Sequence, residues 1–293
     1  MSVLFNSLSL LIKVLEGNGT DKDNLIVMIA FAKEEFSYEE FTALLERAAA
    51  DGVSLYELAN MFAFEMSSGW YSGGSVGEWK SFIFSVISNE KINIKALVDA
   101  SAKAKDSGTS FFSLLNKAFF LAENNDAAEV CNMVINLVNI VCDNGGSAQD
   151  LDWLFNQASM EGVNLETIGN LINDALNSGL DVNIFFGFMK KAINDGASIK
   201  DVVFFADAAK SEGMTFKELV NRFTIVEMEI SFRTQEIEII EIGCTSFIGD
   251  MNVKDVVDQI RSGVSVKEAL DNNSWNCSQK PNLYPKPFPK LQI

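Results

Sequence analysis

Gly145, Gly162, Gly179, Gly196 and Gly213 follow one another at intervals of 17 residues. A fixed period of this kind marks one structural unit used repeatedly, so the chain has to be read as an array before anything else. Two residues after each glycine stands Ser147, Asn164, Asp181, Ser198 or Thr215. All five are side chains that accept a hydrogen bond from the free amides opening a helix. The next residue is apolar or small (Ala148, Leu165, Val182, Ile199, Phe216), and three further on an apolar side chain returns (Leu151, Ile168, Phe185, Val202, Leu219). The stripe continues through Phe155, Ile172, Met189, Ala206 and Phe223 and ends at Ala158, Ala175, Ala192 and Ala209, which is helical spacing. Glycine just past a helix end adopts the left-handed conformation without a Cβ clash, so each unit reads as one helix and one tight turn. About 12 helical residues make a rod of roughly 18 Å, too short to stand alone in water, and stability has to come from stacking.

The same frame runs upstream through Ser54, Asn93 and Ser110, with a longer unit from Asn125 to Asn144, and returns downstream at Asn252 and Ser265. Two units make about 34 residues, the size of a helical hairpin in repeat arrays. All four prolines, Pro281, Pro285, Pro287 and Pro289, sit near the C-terminus, so no ring constraint breaks a helix before them. The expected fold is all-α: an α-solenoid of right-handed type built from 17-residue one-helix repeats paired as helical hairpins, with a small β-hairpin insertion near 224–243. The expected organisation is a repeat array over 1–223 with an irregular loop at 67–77, the insertion over 224–249, short closing helices over 250–274 and an extended proline-rich arm over 275–293.

Composition narrows the function classes. With 48% hydrophobic and 22% charged residues the chain can bury a core, and 23 Lys+Arg against 40 Asp+Glu give a net charge of −17. That charge repels nucleic-acid phosphates and anionic lipid heads. The absence of histidine removes Ser-His-Asp and Cys-His nucleophiles and every histidine metal ligand. Cys131, Cys142, Cys244 and Cys277 form no CxxC pair and are expected to be reduced. The opening apolar run lacks a basic flank and is interrupted by Lys13, which argues against a secretory signal. The run Val130 to Cys142 is broken by Asn132, Asn136 and Asn139, short of the roughly 20 apolar residues a membrane span needs. The expected location is cytoplasmic, or inside an assembled particle.

Interruptions of the period are the places to look for function. Val226, Met228, Ile230 and Phe232 alternate with polar residues, as do Ile237 and Ile239, which reads as a hairpin turning near Thr234, with a helix over 234–243 as the alternative. Its outer face would carry Glu227, Glu229, Glu236, Glu238 and Glu241, a solvated face or else a site for a cation or basic peptide. The glycine-rich loop Gly69 to Gly77 lacks the phosphate-binding order and opens onto Glu78, so it reads as a widened turn whose Trp70 and Tyr71 either pack against the body or face a partner. Asp106-Ser107-Gly108 has the letters of an aspartic-protease tripeptide, yet it occupies the same place as Asp51-Gly52, Asp195-Gly196 and Glu212-Gly213 and is a repeat turn. The acidic pairs Glu34-Glu35 and Glu39-Glu40 are both expected to open helices, where carboxylates favour the macrodipole. The phenylalanines of 185–188 and 204–205 read as core.

Lys280, Lys286 and Lys290 are the only charged residues of the arm, so the remaining 20 basic and 40 acidic side chains leave the body at −20. Proline spacing favours an extended arm presenting Tyr284, Phe288 and Leu291 as apolar anchors, with the three lysines steering the encounter; a disordered tail and an arm folded back along its own body are the alternatives. The expected function is therefore a non-catalytic interaction protein that binds other protein subunits, its own copies or others, within a larger assembly such as a virion or cellular scaffold. It would need no cofactor or metal, and would contact neither nucleic acid nor membrane directly. An acidic nucleic-acid mimic that inhibits a DNA- or RNA-handling protein is the alternative, and a carboxylate- or lysine-based enzyme the third possibility.

Overall fold

The computed structural model describes residues 19–69, 76–122, 126–225, 228–233, 236–241, 246–247 and 251–273, with the side chains of 19–22, Tyr38, Gly69 and 224–247 also outside the description. The described residues form an all-α fold of 14 helices. They are α1 (Gly19–Glu35), α2 (Tyr38–Ala50), α3 (Leu55–Gly69), α4 (Val76–Ser88), α5 (Ile94–Asp106), α6 (Phe111–Leu121), α7 (Ala127–Asp143), α8 (Ala148–Glu161), α9 (Leu165–Asn177), α10 (Val182–Asn194), α11 (Ile199–Ser211), α12 (Phe216–Asn221), α13 (Val253–Arg261) and α14 (Val266–Asn273). The chain divides into two compact units, Met1–Phe186 and Gly187–Ile293.

Each repeat closes at both ends by the chemistry its letters carry. The side chains of Ser147, Asn164, Asp181, Ser198 and Thr215 all accept from an amide in the first turn of their own helix, and Ser198 and Thr215 form full capping boxes with Asp201 and Glu218. All five period-setting glycines have φ between +61° and +87°, as do Gly52 and Gly108 upstream at +79° and +78°. The apolar stripe is the core: Leu151, Phe155, Ala158, Leu165, Ile168, Ile172, Ala175, Ile199, Val202 and Leu219 are fully buried. One position departs from the spacing, since Phe205 rather than Ala206 fills the core place in α11.

In the first unit, helices two apart in sequence pack side by side: α1 on α3, α3 on α5, α5 on α7 and α6 on α8. Four of their polar links have nearly the same separation. Asn24 to Asn60, Ser101 to Glu65 and Lys103 to Asn139 are 36 residues apart, and Lys117 to Asp152 is 35. A second set of links ties three of the turns to the start of a later helix. The Asp51 carboxylate accepts the Ile94 amide at 2.7 Å, Gly108 O accepts Gln149 Nε2 at 3.5 Å, and Gly145 O accepts Asn183 Nδ2 at 3.3 Å. Glu34 and Glu35 close α1 instead of opening a helix, because Ser37 caps a new helix immediately after them. Carboxylates oppose the macrodipole there, and Lys80 on α4 offsets this, with its Nζ 2.7 Å from Glu34 and 3.0 Å from Glu35. Helix extends further into the expected 67–77 loop than the spacing suggested. The Ser67 and Ser68 hydroxyls donate to Phe64 O and the helix continues to Gly69, while α4 already begins at Val76.

In the second unit α11 packs on α13 and α14. Phe188, Phe205 and Phe223 are fully buried, with ring centroids 5.4 Å apart for Phe188 and Phe223 and 6.0 Å for Phe205 and Phe223. The turn-to-helix links recur here: Asp195 accepts the Val253 amide at 2.8 Å and Glu212 the Val266 amide at 2.7 Å. Their separations are 58 and 54 residues, against 43 for Asp51 and Ile94. The excess is taken up by the stretch between α12 and α13, where the backbone of Met228–Arg233 pairs antiparallel with Glu236–Glu241, from Met228 opposite Glu241 to Arg233 opposite Glu236.

Gly196 and Gly146 separate two roles of glycine. At Gly196, φ is +87° and a Cβ would meet nothing within 4 Å, so Gly196→Val adds backbone strain alone and should cost about 1–2 kcal/mol. At Gly146 a Cβ would lie 2.8 Å from Val141 Cγ1 and 3.0 Å from Val182 Cγ1, so Gly146→Ala should cost about 1–3 kcal/mol by overpacking. Urea unfolding of both variants checks this, and midpoints equal to the parent's would contradict it.

Candidate functional site

The residues that the sequence singles out for partner contact, Trp70, Tyr71, Lys280, Tyr284, Lys286, Phe288, Lys290 and Leu291, lie outside the described residues, as do the side chains of Glu227, Glu229, Glu236, Glu238 and Glu241. The described residues instead present three features: a buried carboxyl, a groove and an exposed apolar surface.

Glu65 is fully buried on α3. It faces the opening turn of α6, where the Ser110 hydroxyl and the amides of Phe111 and Phe112 donate to it, the amides at 3.3 and 3.4 Å. From α5 the Ser101 hydroxyl donates at 2.5 Å. Burial raises the Glu65 pKa above the ordinary carboxyl range, against the pull of the Ser101 and Ser110 hydroxyls and of the two amides. One side chain thus joins three helices, and Trp79 Nε1 of α4 donates to its backbone carbonyl at 2.8 Å. Sequence reasoning missed it, although the signal was there: Glu65 follows Leu58, Met61 and Phe62 at core spacing, an acid at an apolar position.

Beside it runs a groove of about 230 Å³ between α3 and α5, lined by Glu57, Asn60, Met61, Phe64, Val98, Asp99, Ser101, Ala102 and Lys105. Its polar groups serve one another. Glu57 accepts the Ser54 amide at 2.7 Å, and this bond, with the Ser54 hydroxyl, holds its carboxyl below the usual range. Lys95 reaches Asp99 at 2.8 Å and Glu57 at 3.8 Å, and Lys105 sits 5.2 Å above the Phe64 ring. Ser101 is 2% exposed and its proton points at Glu65, a carboxyl already taken up by two hydroxyls and two amides. A base so engaged is not placed to take a proton from a molecule in the groove.

The third feature is at the ends of α6 and α8. Phe120 is 78% exposed and Met160 71%. Phe120 lines a hollow of about 180 Å³ together with Leu121, Ser159, Gly162, Val163 and Asn164. Phe120 lies off the buried stripe of Phe111, Leu114, Leu115, Ala118 and Leu121, which is the sequence signal that could have found it.

Among the described residues Cys131 and Cys142 are free thiols, and burial pushes Cys131 up to about 12, where it is a protonated core side chain. No group of three acids, cysteines or histidines is placed to hold a metal among the described residues, and no described helix is long and apolar enough to cross a membrane. No family model, no curated protein and no solved structure matches the chain.

Glu65→Gln tests the buried carboxyl. One amide NH2 would face hydroxyl or amide donors, so the variant should lose about 1–3 kcal/mol in denaturant unfolding. A carboxyl with a raised folded pKa binds its proton more tightly folded than unfolded. Its stabilisation is complete below the unfolded pKa and falls as pH rises through the folded one. The parent should therefore lose stability over that window relative to Glu65→Gln, and parallel pH curves would contradict the assignment.

Proposed function

We propose that this chain is a non-catalytic interaction protein, an α-solenoid array with a β-hairpin insertion, which binds protein subunits within a larger assembly. The observation that carries the proposal is the exposure of two large apolar side chains, Phe120 and Met160. Large apolar side chains elsewhere among the described residues are mostly buried, and aromatic and methionine side chains are enriched in interface cores. Repeat arrays supply extended surfaces of this kind, an analogy at the level of fold. The polar groups support the same reading, because Glu57 and Asp99 share Lys95 and Ser101 donates to Glu65. The pairing of described acids with lysines, as in Lys80 with Glu34 and Lys117 with Asp152, weighs against a phosphate-mimicking face.

The arm over 278–293 is the proposed second contact, with Tyr284, Phe288 and Leu291 as anchors and Lys280, Lys286 and Lys290 steering. Deleting 278–293 should leave the melting temperature nearly unchanged, since the repeats carry their own core, while weakening the purified complex strongly. Raised salt should weaken the complex without abolishing it. If the truncated chain keeps every partner at unchanged affinity, the proposal for the arm is wrong.

A further inference from the structure

Helix α1 is apolar nearly all round, since the run from Leu25 to Ala32 contains no polar residue. A helix of that kind needs cover on more than one side. Among the described residues α1 packs against α3 and α4, and it buries Leu25, Met28, Ile29 and Ala32. Ile26 stays 50% exposed and Val27 39%, with Ala30 exposed one turn on. By contrast α3, which packs against α1, α2, α4, α5 and α6, buries Leu58, Ala59, Met61, Phe62 and Met66. One side of α1 therefore lacks the cover that its sequence calls for.

The stretch of chain joined directly to α1 carries a matching surface. In residues 1–18, Leu4, Leu8, Leu11 and Leu15 recur at helical spacing, and Ser2, Asn6, Ser9, Lys13 and Glu16 share the opposite face. Gly17-Asn18 separates this stretch from α1 by the length of a helical-hairpin turn. We infer that residues 3–16 form a helix that doubles back on α1 and lays its leucine stripe over Ile26, Val27 and Ala30. Consecutive helices pack directly elsewhere in this unit, α3 on α4, α5 on α6, α6 on α7 and α7 on α8. The reach is sufficient, because residues 3–16 make about 21 Å of helix and Ala30 lies about 16 Å along α1 from Gly19. The occupant is this chain's own segment and not a second copy. Three side chains on one helix fall far short of the roughly 1,200 Å² that a stable association between separate chains buries. A segment tethered two residues away is instead held at an effective concentration on the order of millimolar. The opening apolar run thereby gains a packing role, and this face of α1 is withdrawn from the surfaces open to protein partners.

The test uses the full chain carrying a benzophenone side chain at position 26, prepared as an equal mixture of heavy-isotope-labelled and unlabelled protein. Photo-cross-links should map to residues 4–15 and join residues of one isotope only. In hydrogen exchange the amides of 5–15 should be protected in the parent and should exchange about ten-fold or more faster in the double variant Ile26→Ser, Val27→Ser. Interior amides of α3 should keep the parent's rates, since both substitutions replace exposed side chains. Where α3 also loosens in the double variant, the cross-links alone decide. Cross-links of mixed isotope would show a second copy on this face and overturn the inference. Cross-links that map elsewhere in the chain, unprotected amides over 5–15 in the parent, or protection there that the double variant leaves unchanged would each overturn it as well.

Discussion

A carboxylate in a turn that accepts the first amide of a helix some forty or more residues away is the contact on which the packing of this chain depends. A helix of 13 residues, the length of α9, α10 and α11, leaves four amides and four carbonyls without partners inside the helix, a heavy load for so short an element. Its own cap residue serves one or two of those amides, and the turn after a positive-φ glycine returns bonds to the last carbonyls, as Val163 does to Ala158 and Leu180 to Ala175. The first amide remains. Asp51, Asp195 and Glu212 supply its acceptor from a different pair of helices, at Ile94, Val253 and Val266. The bond is charge-assisted and meets the positive end of the helix, so it satisfies a donor and fixes which helix pair lies beside which.

Glu65 extends the same device inward. There the acceptor comes from mid-helix, serves two amides of α6 and ties in α5 through Ser101, but full burial raises the carboxyl pKa. The turn acids lie at the edge in partial contact with water, which makes them the cheaper form of the same contact. Lys80, held by Glu34 and Glu35, shows the opposite case, in which a cation moves in to serve a carboxylate pair at the wrong end of a helix.

Much of this was legible in the letters. The glycine period, the cap residues and the apolar stripe are local properties, each determined within one turn of its own position, and they place the helices and their inner faces. Asp51, Asp195 and Glu212 were legible as turn residues only, because their second role depends on which helix start is packed beside them. Glu34 and Glu35 misled for a related reason: whether an acidic pair opens or closes a helix is decided by Ser37, the cap that follows. Glu65 and Phe120 are the two places where the local rule is broken, an acid in the stripe and a phenylalanine off it. The first is repaid by a network within the molecule, and the second is what the proposed interface uses.

Amide hydrogen exchange at Ile94, Val253 and Val266 tests the turn carboxylates most directly. First amides of helices ordinarily exchange with water as though the helix were absent, whereas these three should be protected to the level of interior amides of α5, α13 and α14. Asp195→Ala should release Val253 while leaving the amides inside α13 protected. Unprotected exchange at all three positions in the parent chain would contradict the account.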